Sequence, residues 1–277
     1  MRATLIAILT ILSLQSAFAQ SRRDEMRETE SQLEASTKQI NQFFRRFNGE
    51  EDEKGKRYYE GDKRYRDPAL RRKYTPVLFD AQIARKDPET VKSFIKTVTD
   101  KRSPEYLDFH HDDWFAEVQT TFDYNGKRIT GTLYMRLQQQ GQGYEWIIED
   151  VSFPVFNRWF DKDTTANKKF MHPMSHELGF MPLKKALKDN DHAEQFTAKN
   201  YETDFLSIFL FELNQGHLEF VSVKNVSFHF FAIDDYYFAL SYFNRPGYNS
   251  GWLISGIVEL ANQDEKQQMK DFIYGKG

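Results

Sequence analysis

The chain has 277 residues, a formal net charge of −3 and no cysteine. Without cysteine it has no disulfides, no thiolate metal site and no cysteine nucleophile. A charge this close to neutrality argues against nucleic acid as a partner. Phenylalanine and tyrosine are abundant, with 25 and 14 copies, so a chain of this length can fill a large core by packing alone.

Residues 1–19 have the pattern of a secretory signal peptide. Arg2 supplies a positive charge, an apolar run extends from Leu5 to Leu14, and Ala17 and Ala19 place small residues at a cleavage site. We expect cleavage before Gln20, and therefore a periplasmic or secreted protein with no membrane span in its mature chain. A retained membrane anchor is the alternative, but polar residues interrupt the apolar stretch.

Helices are predicted first along the mature chain. Residues 20–30 are charged and poor in apolar side chains, which predicts a disordered start. A helix is expected from about Ser31 to Asn48, closed by Gly49. Its apolar stripe has helical spacing and consists of Ile40, Phe43, Phe44 and Phe47.

A charged loop over Glu50–Asp67 separates that helix from two shorter ones. These are expected near Pro68–Tyr74 and from Pro88 onward, where Asp87 can cap the first turn. From Trp114 onward the spacing of the apolar residues changes from that of a helix to that of a strand. Trp114 to Phe153 predicts an antiparallel meander of three strands.

The second half of the chain repeats this order after a polar linker over residues 158–174. Asp204 is expected to cap an apolar helix that ends at Asn214. A final, weakly apolar helix is expected over Gln263–Tyr274. Between these two helices the pattern predicts four strands: Leu218–Val223, Val226–Ile233, Tyr236–Phe243 and Trp252–Leu260.

The two meanders can be overlaid on each other. Placing Trp146 on Trp252 also places Leu137 on Phe243, nine residues earlier in both halves. The overlay suggests a duplication. Two unrelated sets of hairpins with similar loop lengths remain the alternative.

Helices followed by long, aromatic-rich antiparallel strands, in two units of this size, resemble the NTF2-like family of α+β cone folds. The resemblance implies an α+β protein with two tandem NTF2-like domains, at residues 31–157 and 175–277. It also implies a pocket inside each cone. Some members use such a pocket for proton transfer or dehydration with an Asp, Tyr or His, whereas others only bind or pack. No catalytic residue can be matched position by position, so the catalytic residues stay unknown.

Two residue groups are candidates for a site. His110, His111 and Asp113 lie just before the first strand and could ligate a metal, although the sequence favours a polar loop whose aspartates cap or solvate a turn. Adjacent strand residues point to opposite faces, so a loop conformation is needed to bring more than two ligands together.

Aromatic residues crowd the hairpin near the end of the chain. Tyr237, Tyr242, Tyr248 and Trp252 could form a wall against which a carbohydrate or an apolar small molecule stacks. The alternative is that these rings belong to the core and to a protected sheet edge.

The sequence favours a non-catalytic binding or assembly protein of the cell envelope, with an unknown small molecule or an envelope protein as partner. No dinucleotide, phosphate-loop or calcium-loop motif occurs, so no cofactor is expected. A homo-oligomer is left open. The alternative function is a small-molecule isomerase, dehydratase or hydrolase with an acid/base residue inside a cone. An enclosed pocket holding a carboxylate of raised pKa would favour that enzyme.

Overall fold

The computed structural model describes residues 39–159, 204–247 and 249–275. Within them the protein is an α+β structure, as the sequence predicts, built on one six-stranded antiparallel sheet. The predicted signal peptide, the predicted start at residues 20–30 and most of the predicted linker lie outside these ranges. In the described ranges we find no helix with the length and apolar character needed to cross a membrane.

Each predicted helix has a counterpart among the described residues, and the residues expected to cap these helices do so. The first helix begins at Ile40, and its expected start near Ser31 lies outside the described residues. Gly49 ends the first helix with a φ of 75°. The Asp87 carboxylate accepts a hydrogen bond from the Thr90 backbone N–H, and Asp204 accepts one from Leu206. The described helices are α1 (Ile40–Asn48), α2 (Pro68–Tyr74), α3 (Ala81–Lys86), α4 (Pro88–Val98), α5 (Phe205–Asn214) and α6 (Gln263–Ile273).

Helix α3 is not among the elements that the sequence predicts. It is only six residues long, and Ile83 and Ala84, which pack against the core, are too few to show a helical period. Two short 3₁₀ helices, Thr75–Leu78 and Pro154–Trp159, complete the helical segments of the described ranges.

The two predicted meanders join in a single sheet and do not form separate ones. Its strands are β1 (Trp114–Tyr124), β2 (Lys127–Gln140), β3 (Gly143–Ser152), β4 (Leu218–Phe230), β5 (Tyr236–Phe243) and β6 (Gly251–Glu259). Their order is β3-β2-β1-β4-β5-β6, so β1 and β4 pair antiparallel at the centre. The Asn125-Gly126 turn joins β1 to β2, and both its residues have positive φ.

The prediction of two strands within residues 218–233 is wrong, since β4 is one continuous strand over Leu218–Phe230. The polar residues Lys224 and Asn225 interrupt the apolar pattern and so resemble a turn. In the structure the ladder shifts register there: Gln119 pairs with Asn225, and Thr120 pairs with Val223. The shift leaves Lys224 as an extra residue, and a β-bulge of this kind lets a strand continue past an irregular position.

The two faces of the sheet differ in what covers them. On one face the phenylalanines of α1 and α4 pack on the strands: Phe47 stacks on Phe238 at 6.3 Å between ring centroids, and Phe94 meets the same ring edge-on at 5.5 Å. On the other face α6 covers a smaller cluster that includes Phe115, Tyr134, Phe231, Tyr237 and Leu260. The large core therefore lies on the α1 side of the sheet.

Candidate functional site

A cleft of about 530 Å³ opens where α1 meets the turn between β5 and β6. Helix α1 supplies Gln42 and Arg46, and the segment after it supplies Glu51. The 3₁₀ helix Thr75–Leu78 contributes Val77 and Leu78 to the lining. The cleft is large enough for a small organic molecule.

A buried carboxylate lies at the α1 side of this cleft. Glu51 is almost completely buried, and its Oε2 accepts a hydrogen bond from Arg45 Nε at 2.9 Å. Its Oε1 accepts one from Gln42 Nε2 at 2.5 Å. Arg46 Nε lies 3.5 Å from the same Oε1. Two guanidinium groups thus surround one carboxylate, and Asp52 and Glu53 add two further acidic groups to the lining of the cleft.

The turn between β5 and β6 is held by a second polar cluster. Arg245 donates hydrogen bonds to Asp80 and to the Asn249 side chain, and its Nε donates to the Asn249 backbone carbonyl at 2.6 Å. The Asn249 amide in turn donates to the Phe79 carbonyl at 2.8 Å. These bonds fix the wall of the cleft to the segment between α2 and α3.

Tyr242 and Trp252, two of the four predicted ligand-binding aromatics, line the cleft. They are cross-strand partners on β5 and β6, with ring centroids 5.5 Å apart. Tyr242 is 36% exposed, whereas Trp252 is buried. Tyr237 lies on the opposite face of the sheet, because it is an odd number of residues from Tyr242 on the same strand. Tyr248 lies outside the described residues.

A hydrogen-bonded row of three titratable side chains crosses the opposite face of the sheet. His229 Nε2 lies 2.9 Å from Glu117 Oε2, and His229 Nδ1 lies 2.8 Å from the Tyr237 hydroxyl. In the neutral imidazole, Nε2–H donates to Glu117 and Nδ1 accepts from Tyr237. Sequence reasoning missed this row because its members lie on three different strands and share no local motif.

The charges in this row affect one another. The hydrogen bond from His229 holds the pKa of Glu117 below its usual value, although burial opposes that shift. Burial raises the pKa of the Tyr237 hydroxyl, and the Glu117 carboxylate raises it further. Both ring nitrogens of His229 are engaged within the row, one by the Tyr237 hydroxyl and the other by the Glu117 carboxylate.

The predicted metal ligands are brought together only in part. His111 Nδ1 lies 3.0 Å from Asp113 Oδ2 and 3.3 Å from Asp112 Oδ1, in the loop before β1. These three residues offer ligand atoms within 4.8 Å of one another. His110 instead packs its ring against Tyr144, with the centroids 4.4 Å apart. The loop conformation allows a third ligand that an extended strand would exclude.

A carboxylate of raised pKa is found away from the cleft. Burial raises the pKa of Glu105, with the neighbouring carboxylates of Asp234 and Asp235 adding to the effect. Glu105 is not among the residues that line the cleft. At the cleft, by contrast, the pKa of Asp52 is lowered, most of all by a hydrogen bond from the Lys56 backbone N–H.

Comparisons with protein-family models, with curated proteins and with solved structures found no match to this chain.

Proposed function

We propose that this protein is a non-catalytic binding protein that holds a small organic molecule in the cleft between α1 and the β5–β6 turn. The observation that carries the proposal is the convergence of Arg46, Gln42 and the exposed ring of Tyr242 on one cleft of about 530 Å³. A concave site with an apolar wall and a few placed polar groups is the usual form of a ligand site.

Two carboxylates with shifted pKa values, Glu117 and Glu105, do not supply an acid or base to the cleft. A general acid or base works best with a pKa near the working pH. Glu117, in the row with His229, has its pKa shifted down and away from neutrality. The raised pKa of Glu105 lies outside the cleft. The enzymatic alternative would therefore need an acid or base that neither of these carboxylates supplies.

The wider setting is part of the same proposal. We take the protein to be exported, with its ligand met in the cell envelope, on the pattern of residues 1–19. We also retain the resemblance to NTF2-like folds and the duplication. The overlay agrees with the strand order, since Trp146 and Trp252 lie on the third strand of their meanders and Leu137 and Phe243 on the second.

The binding function can be tested by NMR on the full ¹⁵N-labelled chain. We would titrate four probes separately: benzoate, benzamide, benzylamine and phenyl β-glucoside. Binding in the cleft predicts shifts of the backbone amides around Val77, Tyr242 and Trp252 for at least one probe. Truncation of the exposed ring in Tyr242→Ala should abolish those shifts.

The matched control is Tyr59→Ala, since Tyr59 is 65% exposed and does not line the cleft. This variant should bind the probes as the unaltered protein does. If none of the four probes shifts the cleft amides, or if the shifts survive in Tyr242→Ala, the proposed function is overturned.

A further inference from the structure

We infer that the ligand of the cleft is a monocarboxylate with a flat apolar body, and that Arg46 binds its carboxylate. This inference rests on the proposed function and names the chemical class of the ligand. It starts from the unequal use of two neighbouring arginines, Arg45 and Arg46, around the single carboxylate of Glu51.

Arg45 and Gln42 already satisfy Glu51. One oxygen of Glu51 accepts from Arg45 Nε and the other from Gln42 Nε2. Arg46 lies near this carboxylate but gains no hydrogen bond from it, because its Nε is 3.5 Å away, buried and without a hydrogen-bond partner. The guanidinium of Arg46 is thus attracted to the Glu51 carboxylate by charge, while the Nε–H of Arg46 makes no hydrogen bond.

The end of Arg46 is free to take a ligand. The side chain lines the cleft and is 33% exposed. Over the described ranges of the chain, no nitrogen of its guanidinium donates a hydrogen bond. A guanidinium presents a planar set of donors that matches the two oxygens of a carboxylate. Arg245, the other arginine of the cleft, is already bonded to Asp80 and Asn249.

The acidic residues of the cleft limit the charge of the ligand. Asp52 lines the cleft with its oxygens occupied by the backbone N–H groups of Lys54 and Lys56 and by the Tyr58 hydroxyl. Glu53 also lines it and is exposed. Their negative charges repel a dianion more strongly than a monoanion, so a ligand with one carboxylate is favoured over a phosphate dianion.

The apolar body of the ligand follows from two exposed apolar side chains of the cleft. Val77 is 44% exposed and Tyr242 is 36% exposed, and both line the cleft. These surfaces can be covered by a flat hydrocarbon ring, and a tyrosine ring packs well against such a group. Benzoate is therefore the simplest probe of the inferred class.

The test compares benzoate with benzamide and phenyl phosphate on the full chain, using the amide shifts of the cleft to obtain each dissociation constant. Benzamide has the same ring and shape but no charge. Because a hydrogen bond to a charged group is stronger than one to a neutral group, we expect benzoate to bind about tenfold tighter than benzamide or more. Phenyl phosphate should bind more weakly than benzoate.

Two variants assign the effect to one side chain. Arg46→Gln should weaken benzoate about tenfold and leave benzamide unchanged. The matched control Arg128→Gln changes an exposed arginine that does not line the cleft, and should retain the preference for benzoate. Circular dichroism verifies that both variants fold, and the comparison of probes on the unaltered protein needs no variant.

The outcomes separate this inference from the proposed function. If benzamide binds in the cleft as tightly as benzoate, or phenyl phosphate binds more tightly, the carboxylate class is wrong while the binding function stands. The same holds if Arg46→Gln leaves the preference for benzoate intact. If no probe shifts the cleft amides, the proposed function itself fails.

Discussion

Replacing Gly131 by alanine should destabilise the fold, although both residues are small. Gly131 lies on β2 opposite Thr120 of β1. A Cβ at this position would lie 2.1 Å from Phe153 Cε1 and 2.3 Å from its Cδ1. Phe153 is fully buried, with the rings of Phe122 and Phe209 each 5.4 Å away. The phenyl ring therefore has no open space into which it can withdraw.

The expected change in the free energy of unfolding follows from two opposing effects. Overpacking of a core costs about 1–3 kcal/mol, and a contact this short places the cost toward the upper end. Replacing a glycine within a strand by alanine contributes about 0.5–1 kcal/mol of stability in the opposite direction. We expect Gly131→Ala to lower the free energy of unfolding by about 2 kcal/mol in net terms, measured by urea denaturation of the full chain.

Gly256→Ala is the matched control. Gly256 also lies within a strand, and a Cβ added there would have Ala239 Cβ as its nearest neighbour, at 4.0 Å. This variant should be as stable as the unaltered protein, or more stable by about 0.5–1 kcal/mol. Adding Phe153→Leu to Gly131→Ala should cost less than the two single changes summed. Equal stability of Gly131→Ala and the unaltered protein would refute the close packing of Phe153 on β2.

Three further predictions concern buried polar groups. His229→Phe leaves Glu117 and Tyr237 without their shared partner, so the free energy of unfolding should fall by about 2 kcal/mol or more; an unchanged denaturation midpoint would contradict the hydrogen-bonded row. A carboxyl group whose pKa is lowered by folding stabilises the fold at pH values above its ordinary pKa. That stabilisation is lost as the pH falls through the lowered pKa of the folded state. Glu117→Gln should therefore reduce the loss of stability in acid, measured by thermal unfolding between pH 7 and pH 3; a steeper acid loss would contradict it. Arg71 is 1% exposed and donates hydrogen bonds to two backbone carbonyls. Arg71→Met should therefore lower the free energy of unfolding by about 3 kcal/mol. The control Arg72→Met changes an exposed neighbour and should alter that free energy by less than about 0.5 kcal/mol.

Local features of this protein could be predicted from the sequence because short-range physics determines them. Gly49 ends α1 in the left-handed conformation, and Asp87 and Asp204 cap their helices through side-chain oxygens. The Asn125-Gly126 turn likewise needs only its own two residues to adopt positive φ. These signals extend over four or five residues, so no tertiary information is needed to recognise them.

The candidate site could be predicted only in part. The aromatic pattern led to Tyr242 and Trp252, which do line the cleft. It also included Tyr237, which the alternation of the strand places on the other face. Arg46 lies in a helix whose apolar stripe predicts only a core-facing surface. The sequence does not indicate that Arg45 and Gln42, rather than Arg46, donate the hydrogen bonds to Glu51.

Residue periodicity and local hydrogen bonding are enough to establish the α+β class, the helix ends and most of the strands. They do not establish that the two meanders share one sheet, because the pairing between β1 and β4 joins segments about a hundred residues apart. The same long-range pairing brings Glu117 to His229, and the packing of the β5–β6 turn near α1 forms the cleft. Such contacts depend on which surfaces meet in three dimensions, and a linear pattern contains no record of that choice.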